Sequence, residues 1–64
     1  MAWFFRAIEE PSGGWTCRRG RSDFDTHDSL EAAIAHLRVL AACAQPSELI
    51  VHWVDGTVEA FGPI

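Results

Sequence analysis

A chain of 64 residues with nine acids, five Arg and no Lys, at a net charge of −4, is a poor candidate for phosphate-backbone binding, which depends on neutralising several phosphates. Its 48% apolar content is that of a globular chain and not of a disordered one, and two cysteines are too few for a disulfide scaffold. A single domain over 1–64 is expected, marginally stable because only about 60% of the unfolded surface can be buried at this size.

No run approaches the roughly 20 apolar residues that a membrane span needs. The segment MAWFFRAIEE lacks the basic n-region and small-residue cleavage site of a leader. A cytoplasmic protein with reduced thiols and no membrane partner is therefore expected.

In chain order, residues 2–9 read as a first strand with Trp3, Phe5 and Ala7 on its core face. Glu10-Pro11-Ser12-Gly13-Gly14 is a turn by composition. Residues 15–21 read as a second strand, its Trp15 and Cys17 directed to the core and its Arg-rich end to solvent. Residues 22–27, SDFDTH, are polar apart from Phe24 and read as a connection. The stretch from Asp28 to Ala44 carries the helical period: Leu30, Ala33, Ile34, Leu37, Ala41 and Ala44 share one face. Asp28 with Glu31 matches a capping box, with Thr26 as a competing N-cap. Pro46 ends the helix.

Residues 48–54 and 57–62 then form a hairpin about Asp55-Gly56. A two-residue type I′ loop there places Trp53 opposite Val58, His52 opposite Glu59, and Ile50 opposite Phe61. In that register Leu49, Val51, Trp53, Val58 and Ala60 form the core face. The fold so predicted is α+β: a two-layer ββαββ arrangement, with a four-stranded antiparallel sheet of order 2-1-3-4 and one helix on one face.

The pattern Gly14-Trp15-x4-Gly20, the helix start FDTHDSLEAAIAHL and the final LIVHWVDGTVEAF together resemble the small bacterial family known as domain of unknown function 2188. The resemblance covers roughly residues 13–60. The spacing from Phe24 to Glu31 is longer than the family's usual pattern, and its Lys-rich character is absent. The resemblance implies a ββαββ-like fold and no established activity.

Little in the sequence points to chemistry. His27, His36, His52, Cys17 and Cys43 lack the C-x2-C or H-x3-H spacings of metal sites, so no metal or other cofactor is expected. No serine sits in a nucleophile motif and no glycine run forms a phosphate loop, so no enzyme is expected. His52 opposite Glu59 reads as a cross-strand pair whose carboxylate would raise the imidazole pKa. A catalytic role for that pair would need a site shared with another chain. The outer sheet face gathers Phe4, Ile8, Ile50, Val54 and Phe61 among Arg6, His52 and Glu59. A patch of that kind marks an interaction surface. The favoured reading is a non-enzymatic protein-interaction module, a homodimer or the partner of another protein. The alternative is nucleic-acid binding through Trp15 and the cluster Arg18, Arg19 and Arg21.

Overall fold

The computed structural model describes residues 2–64. Its elements are β1 (Trp3–Glu9), β2 (Trp15–Arg19), β3 (Ser22–His27), α1 (Leu30–Ala41), β4 (Ser47–His52) and β5 (Val58–Pro63). The fold is α+β, one helix on a single sheet of order β3-β2-β1-β4-β5.

Two features depart from the four-stranded antiparallel sheet expected. The polar segment 22–27 is a strand, β3, paired antiparallel with β2 through a two-residue loop, Gly20-Arg21. Gly20 has φ +60°, as the first loop position of a type II′ hairpin requires. An edge strand open to solvent on both faces needs no apolar alternation, and five of its six residues are exposed. The extra strand also reverses the direction in which the chain enters the helix. As a result β4 returns parallel to β1, with Trp3 beside Ser47 and Ile8 beside His52, and the sheet is mixed. The order of the other four strands, β2-β1-β4-β5, is the one the sequence predicts.

The helix is capped by Ser29, not by Asp28 or Thr26: the Ser29 hydroxyl accepts from the Ala32 amide at 3.2 Å. Ala33, Leu37 and Ala41 form its buried stripe, flanked by the partly buried Leu30, Ile34, Leu40 and Ala44. Against them the sheet presents Phe5, Ala7, Trp15, Cys17, Leu49 and Val51, all buried. Trp3, predicted to be core, is half exposed, with the Arg19 guanidinium 5.1 Å from its ring centroid.

Both turns within the antiparallel pairs β1–β2 and β4–β5 have one design. Each is a four-residue turn whose last residue is a glycine with positive φ: Gly13 at +103° and Gly56 at +95°. The Gly56 amide donates to the Trp53 carbonyl at 3.0 Å, and the Trp53 amide to the Thr57 carbonyl at 2.8 Å. That loop is one residue longer than a type I′ turn, so the register moves by one. His52 faces Val58, Val51 faces Glu59, and Ile50 faces Ala60. A slip of one residue exchanges the faces of a strand. Val58 and Ala60 therefore leave the predicted core for the open face, and Glu59 moves to the helix side, where it accepts from Trp53 Nε1 at 3.1 Å. A bulge between Leu49 and Ile50 accommodates Phe61, which lies with Ile34, Arg38 and Ile64 on the helix side.

Candidate functional site

Three arrangements hold the chemistry-bearing residues. The first is the sheet face opposite the helix, which no described element covers. Two cross-strand rows cross its centre. Arg18, Arg6, Ile50 and Ala60 form one, and Thr16, Ile8, His52 and Val58 the other. Phe4 and Glu48 lie side by side in the next row. Of the eight residues predicted for this surface, Phe4, Arg6, Ile8, Ile50 and His52 lie on it. Val54 is in the β4–β5 turn, and Glu59 and Phe61 are on the other face.

The predicted His52–Glu59 pair does not form, and His52 meets Arg6 instead. Arg6 Nη1 lies 2.7 Å from His52 Nε2. A guanidinium only donates, so Nε2 must accept and the imidazole is neutral. Burial first, then the Arg6 and Arg18 charges, hold the His52 pKa below its ordinary 6.5 rather than above it. The sign for stability follows. As pH falls through about 6.5 the unfolded chain takes up a proton at His52 that the folded chain refuses, so this stabilisation is present above that pH and is lost below it. In urea titrations at about pH 7.5 and about pH 5.5 the wild type should lose more stability on acidification than His52→Gln. Equal losses would show that the pair does not control the imidazole.

The second arrangement is the predicted basic cluster, whose members point apart. Trp15 is buried and meets Trp53 edge to face, with ring centroids 5.3 Å apart. Arg18 donates from Nε to Asp23 at 2.6 Å on the open face. Arg19 lies between the Trp3 and Phe24 rings, 5.1 and 5.9 Å from their centroids. Arg21 is exposed in the β2–β3 turn.

The third arrangement is one the spacing of residues along the chain does not reveal. Asp25 and His27 project from one face of β3, and His36 projects from α1 toward them. His27 Nε2 is 3.1 Å from Asp25 Oδ1 and 3.2 Å from His36 Nδ1, which is itself 2.9 Å from Asp25 Oδ2. The two imidazole rings stand 5.2 Å apart at 67°. Beneath them Cys17, fully buried on β2, points its thiol at the Ala33 carbonyl, 3.5 Å away. Burial foremost, and then the Asp25 carboxylate, push the Cys17 thiol up to about 11. The available signal was Asp25-x-His27, an i, i+2 pair on one face of a strand, but only once residues 22–27 are seen as a strand.

A family model described as an uncharacterised protein conserved in bacteria, DUF2188, matches residues 7–60. The chain belongs to that family. The DUF2188 match runs from the middle of β1 to the middle of β5, and so takes in the helix, the β3 hairpin and the Asp55-Gly56 turn. No curated protein and no solved structure matches the chain. Among the described residues, no helix is long and apolar enough to cross a membrane.

Proposed function

We propose that this DUF2188 protein is a non-enzymatic interaction module that pairs with a second copy of itself through the open face of the sheet. The observation that carries this reading is the composition of that face. Phe4 and Val58 are about half exposed, at 46% and 56%, and Ile8, Ile50 and Ala60 lie between them with no covering element. An apolar patch continuous over three strands is what an association surface presents. Its charges favour a second copy as occupant. Among the described residues, Arg6 has no carboxylate and Glu48 no cation within ion-pair distance, although both lie on this face. A two-fold interface is self-complementary, so each copy's Arg6 can meet the other's Glu48. The reading is non-enzymatic because His52, the imidazole of the face, is held by the Arg6 guanidinium, and among the described residues no nucleophile or carboxylate is hydrogen-bonded to it.

Sedimentation equilibrium at micromolar concentration tests the proposal. The wild type should be dimeric, and Phe4→Glu or Val58→Glu should be monomeric while retaining the wild-type circular dichroism. A monomeric wild type ends the proposal. Nucleic-acid binding, the other reading of the sequence, draws no support from a buried Trp15 and an Arg18 already paired with Asp23.

A further inference from the structure

We propose that Cys17, Asp25, His27 and His36 form a binding site for a first-row divalent transition metal, zinc in particular. One donor atom from each of the four residues lies within 4.8 Å of the other three. Around tetrahedral zinc, with bonds of about 2.0–2.1 Å to nitrogen or oxygen, neighbouring donors stand about 3.3–3.4 Å apart. The triangle of His27 Nε2, His36 Nδ1 and Asp25 Oδ1, with edges of 3.1 to 3.2 Å, needs to open by only a few tenths of an ångström. Cys17 Sγ sits below that triangle and closes the fourth position by moving toward it.

In the metal-free arrangement three potential donor atoms converge on one point from two separate elements, and each imidazole nitrogen there donates or accepts according to its tautomer. A cation at that point satisfies all three at once. The donor types choose the cation. Two imidazoles with a thiol suit zinc, cobalt, nickel or copper, whereas magnesium and calcium take oxygen ligands. On binding, the Cys17 thiol gives its proton to solvent and coordinates as thiolate. Thiolate and Asp25 carboxylate together then balance the two positive charges of the ion. Access is open from above, since the Asp25 and His36 side chains are 40% and 33% exposed.

The location also gives the ion a role. Cys17 is on β2, Asp25 and His27 are on the edge strand β3, and His36 is on the helix. β3 has no fully buried residue to anchor it. A metal would bind the edge strand to the helix, the kind of cross-link on which very small domains depend.

The test uses the full chain stripped with a chelator and then titrated with zinc chloride by calorimetry and thermal melting. One equivalent should bind, and at a hundredfold excess over Kd the melting temperature should rise by about 10 °C or more. His36→Ala, a change on the helix surface, should fold as judged by circular dichroism and weaken binding by at least about a hundredfold. His52→Gln should leave binding unchanged, and magnesium should give no shift. Cobalt loading should give tetrahedral visible absorption with a thiolate-to-metal charge-transfer band that Cys17→Ser removes. Absence of zinc binding, or equal binding by His36→Ala, would overturn the site as a hydrogen-bonded cluster only. Cobalt binding without the thiolate band would overturn the four-ligand assignment.

Discussion

Phe5→Ala should leave the chain unfolded or close to it in water at 25 °C. Phe5 has no solvent exposure and lies on the central strand β1, flanked by Arg19 of β2 and Leu49 of β4. Truncating a buried Phe to Ala costs about 3–5 kcal/mol, part of it the transfer term and part the cavity left behind. A domain of this size has on the order of 3–10 kcal/mol in total. The neighbouring residue is the control. Phe4 points to the open face and is 46% exposed, so at concentrations where the chain is monomeric Phe4→Ala should change stability by no more than about 0.5 kcal/mol. Urea denaturation followed by tryptophan fluorescence measures both. A Phe5→Ala loss no larger than that of Phe4→Ala would mean that the helix does not cover the face assigned to it.

The second large effect is expected at Gly56. Its φ of +95° is a conformation that L-residues with side chains rarely adopt, and a Cβ built there meets no atom within 4 Å. The whole penalty of a substitution is therefore backbone strain, and β-branched residues suffer it most. Gly56→Val should cost about 1–3 kcal/mol, and Gly56→Asn clearly less, because Asn tolerates positive φ better. The loop around Gly56 is otherwise well tied. Asp55 accepts from the Thr57 amide at 2.8 Å, and its hydrogen bonds from Thr57 hold its carboxyl below the usual range. Equal losses for Val and Asn in a urea titration would point to a packing defect instead of strain.

The helix, the strands that contribute core residues and the order of those strands could be read from the sequence because burial imposes a period on them. Leu37 and Ala41 recur at helical spacing; Phe5 and Ala7, Trp15 and Cys17, and Leu49 and Val51 alternate. Where burial is absent, so is the signal. Residues 22–27 hold their place by backbone pairing at an edge, and nothing in SDFDTH distinguishes that from a loop. Without that strand β4 would run antiparallel to β1; with it, the two are parallel. The Asp55-Gly56 dipeptide fits both a two-residue loop and a four-residue turn closed by Gly56, and the difference of one residue moved Glu59 away from His52. The cluster of Asp25, His27 and His36 was hidden for the same reason as β3: two of its members lie on the strand that has no apolar pattern.

The parallel pairing of β1 with β4 has a consequence for how the chain reaches this fold. From Trp3–Ser47 to Ile8–His52, each partner lies 44 positions further along. Closing so long a loop carries a larger entropy cost than closing any of the three hairpins. The hairpins and the helix can fluctuate into shape from local contacts. The sheet becomes continuous, and Phe5, Val51 and Leu37 meet, only when the chain's two halves come together. Folding should accordingly be limited by this non-local pairing at the centre of the sheet, and be slower than that of a 64-residue chain with only local pairings.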